Sequence, residues 1–114
     1  MVTQQDPNVI ANPSTNTPKG PEMNDRDRMN DCLATEKYLC QSINTATWEA
    51  SHDQLHQDLK TILNETQACH RNLYNLMFKK GWYKLQAADQ MQIDNTYQQF
   101  SNYVAQLPYQ NQIQ

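Results

Sequence analysis

No stretch of this chain places more than a few apolar residues in a row, far short of the roughly 20 that cross a bilayer, so membrane insertion is not expected. The N-terminus has no apolar signal-peptide core, and the protein is therefore expected to begin its life in the cytosol. Basic residues are neither abundant nor clustered. With a formal net charge of -3 and a pI near 5.4, the chain has no electrostatic footprint for nucleic acid or anionic membranes. Cysteine is scarce as well: Cys32, Cys40 and Cys69 are an odd number, without CxxC or Cys/His spacing. That excludes a disulfide framework and a structural zinc site and leaves buried free thiols as the expected state. Only two glycines are present and charged residues make up 18%. Asn and Gln together form roughly a quarter of the chain, so its polarity rests on uncharged amides.

What is present reads as helix. Residues 1–22 hold four of the five prolines among Asn, Thr, Ser and Gln and are expected to form a flexible tail. Asn24 or Asp25 caps a first helix running to about Ala50, with an apolar stripe of Met29, Cys32 and Leu33, Glu36, Leu39 and Cys40, Ile43, Ala46 and Ala50. Ser51 to Gln54 has the form of a capping box, so a second helix begins at His52 or Asp53 after a very short turn. Its stripe is Leu55, Leu59, Ile62, Thr66, Cys69, Leu73 and Leu76, and Gly81 is its expected C-terminal cap. Trp82 and Tyr83 are expected to fold back over the hairpin end. A third helix follows over about 87–106, with Pro108 as the stop and a tail over 108–114. The expected fold is all-α: a helical bundle over 23–107, built on a long antiparallel hairpin plus a C-terminal helix. No segment with strand periodicity competes. Two long helices cannot bury a core alone, so a homodimer or higher assembly is expected.

Glu36 is the one carboxylate inside an apolar stripe, and its charge requires a proton, a hydrogen bond, a cation or a metal. Counting outward from the turn sets it level with Glu65 and Thr66, and sets Cys32 level with Cys69 and His70. Glu36, Glu65 and His70 are thus the candidate metal ligands. Their spacing fails the Glu-x-x-His pattern of carboxylate di-metal bundles, because position 68 is Ala and His70 lies about 140° round the helix from Glu65. No metal, cofactor or catalytic residue is therefore expected. Glu36 is instead read as buried and hydrogen-bonded, with Glu65 and His70 at the edge. Cys69 and His70 are adjacent and point apart, which argues against a catalytic thiolate pair. His52 and His56, one turn apart, lack a third ligand and are expected to face solvent. Trp48, Trp82, Tyr83, Tyr97, Phe100 and Tyr103 are read as closing the bundle's ends. A partner surface at Trp82 and Tyr83 is the alternative.

LATEKYL at 33–39 and KGWY at 80–83 resemble the spore coat protein F family, and the resemblance covers most of the chain. It extends from the PKGPEMNDRD run at 18–27 through the hairpin to the AADQ run at 87–90. The resemblance implies a ferritin-like helical bundle made in the mother cell of an endospore-forming bacterium and deposited in the spore coat, with other coat proteins as partners. It brings no enzymatic activity, and it transfers no metal or catalytic role to Glu36. The reading that follows is a non-enzymatic structural component of the coat. The alternative is a ferritin-like metal-binding protein whose carboxylate site forms across a dimer interface.

Overall fold

Asn24 starts the first helix by a reciprocal bond. Its side-chain oxygen accepts from the Asp27 backbone N–H at 2.9 Å, and the Asp27 carboxylate accepts from the Asn24 N–H at 3.1 Å. This capping box satisfies two donors that the helix itself cannot, and Asp25 and Asp27 place negative charge at the positive end. The helix, α1, runs Asp25–Glu49 in a computed structural model that describes residues 6–108. Asn24→Ala is expected to cost about 0.5–2 kcal/mol, read as a lower midpoint in denaturant.

The second helix, α2, spans Asp53–Lys79. It begins where expected but not by the expected device: His52 is the N-cap, no side chain caps it, and Ser51 takes no part. Its far end closes by a Schellman motif around Gly81, which sits at φ 75°. The Gly81 N–H donates to Phe78 O at 3.1 Å, and the Trp82 N–H donates to Met77 O at 2.9 Å. Trp82 then packs on Met77, the apolar contact that accompanies this motif.

The two helices run antiparallel and meet along a seam that advances by alternating steps of four and three residues. On α1 the seam is Met29, Leu33, Glu36, Cys40, Ile43 and Thr47; on α2 it is His56, Leu59, Leu63, Thr66, His70, Leu73 and Met77. This is the heptad spacing of knobs-into-holes packing. Full burial is confined to one end, where Leu33, Met77 and Trp82 form the core with Met29, Leu73, Tyr74 and Tyr83 against it. Toward the turn, Thr47 is buried, its hydroxyl donating to Ile43 O at 2.8 Å.

The stripes read from sequence therefore straddle the seam. Half of each stripe lies in it, and the other half, Cys32, Leu39 and Ala46 with Leu55, Ile62 and Cys69, lies exposed beside it. The expectation of buried thiols fails for this reason. Cys32 and Cys69 are exposed and only Cys40 is half-buried.

The chain divides into two compact units, one formed by residues 11–84 and the other by the segments up to Ile10 and from Leu85 onward. Within the first, part of the expected N-terminal tail is held to the hairpin end. Asn12 Nδ2 donates to Phe78 O at 2.8 Å, Thr15 N to Lys80 O at 2.8 Å, and Trp82 Nε1 to Thr15 O at 2.9 Å. The first two bonds occupy carbonyls at the end of α2 that have no intrahelical donor, and the third ties the Trp82 indole to the segment itself.

In the second unit, two short strands, β1 (Val9–Ile10) and β2 (Leu85–Gln86), pair antiparallel with Val9 opposite Gln86 and Ile10 opposite Leu85. Sequence periodicity gave no sign of this pair. The strands delay the third helix, α3, to Gln90–Tyr103, because Ala87 N donates to Asn8 O at 2.7 Å and Asp89 takes the N-cap, accepting from Met91 N at 3.0 Å. One 3-10 turn, Val104–Gln106, completes the element before Pro108. The expected apolar stripe of α3 is exposed at Ile93, Tyr97 and Phe100. Residues 1–5 and 109–114 of the expected tails lie outside the described residues.

Candidate functional site

Glu36 occupies the helix seam, half-buried, one turn along α1 from Leu33. Its Oε1 accepts a hydrogen bond from the Cys69 thiol at 3.6 Å, and this is the polar partner that the carboxylate finds on α2. Thr66, level with Glu36 by the count from the turn, turns its hydroxyl back to Ile62 O at 2.8 Å. A helical threonine has its own i−4 carbonyl within reach, and here that local bond holds the hydroxyl.

The Cys69 thiol is pushed above its ordinary range. Loss of part of its hydration contributes most, followed by the neighbouring Glu36 charge and the thiol–carboxylate bond, with Cys32 adding a smaller push. All of these favour the neutral thiol. At a pH near 8 the folded protein is thus expected to present less Cys69 thiolate than an unhindered cysteine and to be alkylated more slowly. In a Cys32→Ser, Cys40→Ser background, Glu36→Gln is expected to speed reaction with iodoacetamide. An unchanged or slower rate would show that the carboxylate does not restrain the thiol.

Glu65 is exposed and His70 is half-buried on the seam. The His70 ring stacks on Tyr74 with centroids 6.5 Å apart, and its Nε2 is buried without a hydrogen-bond partner. Among the described residues, no group of three His, Cys, Asp or Glu side chains is placed to hold a metal ion. Glu36, Glu65 and His70 are accordingly not brought together within one chain. The expectation that His56 faces solvent is also corrected. It is half-buried, with Nδ1 2.9 Å from Thr47 O, and because a carbonyl only accepts, Nδ1 carries the proton. This bond ties the first turn of α2 to the last turn of α1.

Trp82 and Tyr83 sit at the opposite end. Trp82 is 9% exposed, with Lys80 Nζ 5.3 Å from its ring centroid. Tyr83 is half-buried, meets Tyr74 edge-on at 4.8 Å, and has Lys37 Nζ 5.6 Å from its centroid. Arg71 lies 5.5 Å from the Tyr74 ring, so two cations flank the aromatic pair. The indole is thus part of the hairpin's core and leaves little surface for a partner. The tethering segment at Asn12 and Thr15 was not found by sequence reasoning. Gly81 beside Trp82 was the available signal, because a position where only glycine fits marks a close backbone approach.

No helix among the described residues is long and apolar enough to cross a membrane. The Coat F domain matches residues 24–86, from the N-cap of α1 to the end of β2. The uncharacterized protein YusN of Bacillus subtilis (strain 168) is 45% identical over 102 residues, covering 89% of this chain and 93% of that protein. No solved structure matches the chain. The matched span contains both long helices, the Glu36 and Cys69 pair, and the closing turn at Gly81 and Trp82, and it places this chain in the Coat F domain family.

Proposed function

We propose that this chain is a non-enzymatic structural component of the bacterial endospore coat, made in the mother-cell cytoplasm and acting through helix packing and assembly with other coat proteins. The observation that carries this reading is the Coat F match over 24–86, which takes in the whole hairpin. The side-chain chemistry supports it. Several of the hairpin's charged and nucleophilic groups are engaged in packing it: Glu36 with Cys69, His56 with the Thr47 carbonyl, and Lys37 with Tyr83. The ferritin-like arrangement belongs to the same proposal, with the hairpin as half of a bundle. The metal-binding alternative requires residues from two chains, since Glu36, Glu65 and His70 do not converge within one.

The test is extraction of purified spores. The protein is expected in the fraction that detergent and reductant strip from the coat, and to be absent from the lysed core. Recovery in the core would overturn the proposal.

A further inference from the structure

The exposed half of each helix stripe forms a pattern of its own. On α1 it falls at Cys32, Leu39 and Ala46, and on α2 at Leu55, Ile62 and Cys69, each set advancing by seven residues. Cys32 and Cys69 lie on the same side of the hairpin, because each directly precedes an equivalent seam residue, Leu33 and His70, and in an antiparallel pair these two columns flank the seam on one side. Equal seven-residue steps carry that register onward, so Leu39 falls level with Ile62 and Ala46 with Leu55. The result is three apolar tiers about 10 Å apart. Leu39 is 39% exposed, Ile62 46% and Leu55 49%. At the equivalent steps the opposite side of the hairpin carries Asn30, Lys37 and Asn44 on α1 and Lys60, Gln67 and Tyr74 on α2, and Tyr74 is already packed against Tyr83. The hairpin is therefore two-faced.

We propose that the apolar face is covered by the same face of a second copy of this chain, hairpin on hairpin, making four helices in which every neighbour is antiparallel. This deepens the coat-component reading by naming a partner, and it stands or falls in solution whether or not the protein reaches the coat. A heptad column on both helices, in register, calls for a partner with two antiparallel helices of the same repeat. This hairpin is such a partner. A two-fold axis parallel to the helices sets each tier on itself: Cys32 against the partner's Cys69, Leu39 against the partner's Ile62, Ala46 against the partner's Leu55.

The rims agree with that arrangement. The next column out on α1 is Arg28, Thr35 and Ser42, and on α2 it is Asp58, Glu65 and Asn72. The same axis brings Thr35 level with the partner's Glu65, Ser42 level with the partner's Asp58, and Arg28 level with the partner's Asn72. Hydroxyl donors meet carboxylates, and no like charges are opposed. The alternative two-fold axis, perpendicular to the helices through the middle tier, would set Asp58 level with the partner's Glu65 and oppose two carboxylates. The area is also sufficient. A face about 40 Å long and about 18 Å wide covers about 700 Å² per copy, within the range of stable protein pairs.

The test is the solution mass of the full chain by analytical ultracentrifugation, with helicity followed by circular dichroism. The expected result is a wild-type species of twice 13.3 kDa. Ile62→Glu is expected to raise the dissociation constant at least 100-fold, and Lys60→Glu on the polar face to leave it within threefold. If Ile62→Glu loses its helix, the wild type must show an unfolding midpoint that rises with protein concentration, as dissociation coupled to unfolding requires. A helical wild-type monomer at 100 µM would overturn the proposal, as would a midpoint independent of concentration. A dimer that persists in Ile62→Glu, or one that Phe100→Glu on α3 dissociates instead, would place the contact elsewhere and overturn it equally.

Discussion

Gly81→Val is expected to destabilise the hairpin unit by about 2–4 kcal/mol, read as a fall in the urea midpoint at unchanged slope. Two costs combine. At φ 75° the backbone is in the left-handed region, where a β-branched residue is strained by its own carbonyl. A Cβ at this position would also run into the backbone carbonyls of Pro13 and Asn12, which lie against the closing turn. Gly81→Asn separates the two, because asparagine tolerates the left-handed conformation while its Cβ still meets Pro13. It is expected to fall between wild type and valine. An asparagine variant as stable as wild type would mean that the 12–15 segment yields without cost.

Met77→Ala is expected to cost about 2–5 kcal/mol. Met77 is 0% exposed and lies between Leu33 of α1 and Trp82 beyond the Schellman turn, so its loss leaves a cavity at the place where helix, helix and closing segment meet. The comparison is Leu76→Ala on the neighbouring exposed position. Leu76 is 42% exposed, and its truncation is expected to cost under about 1 kcal/mol in the single chain. Equal effects at 76 and 77 would contradict the core assignment. A large effect at 76 that depends on protein concentration would instead belong to the face proposed for self-association.

The helices were legible because their periodicity is strong and their caps are local. Asn24 at the start of α1 and Gly81 at the end of α2 follow from chemistry within a few residues of the boundary, whereas Asp53 was reached through a Ser51 capping box that does not form. The rotation of each helix was not legible. A stripe wide enough for two contacts does not say which half meets the adjacent helix, and the half containing Leu33 and Met77 is the one that does. The same ambiguity misplaced the thiols. Cys32 and Cys69 fall on the half that the hairpin leaves outside.

The site was readable in part. Level counting placed Glu36 opposite the middle of α2, where the Cys69 thiol is its donor, while Thr66 at the same level spends its hydroxyl on Ile62 O. The bonds of Asn12 and Thr15 had one signal, Gly81, which marks a close backbone approach without naming what approaches. They join residues more than 60 positions apart, through carbonyls that any sequence possesses. Val9 and Ile10, a β-branched pair between Pro7 and Pro13, were the one local hint of the strand that forms there. The motifs at 33–39 and 80–83 reached further than the geometry because they mark the two halves of the Leu33, Met77 and Trp82 core and its closing turn.

The role proposed for this fold is that of a building element of the spore coat. A fluorescent fusion expressed in sporulating cells from the chain's own promoter tests it most directly. Wild type is expected to form a ring at the spore surface that persists after the mother cell lyses, and Gly81→Val is expected to remain diffuse in the mother cell. A wild-type fusion that stays diffuse, or that fills the forespore interior, would contradict the account.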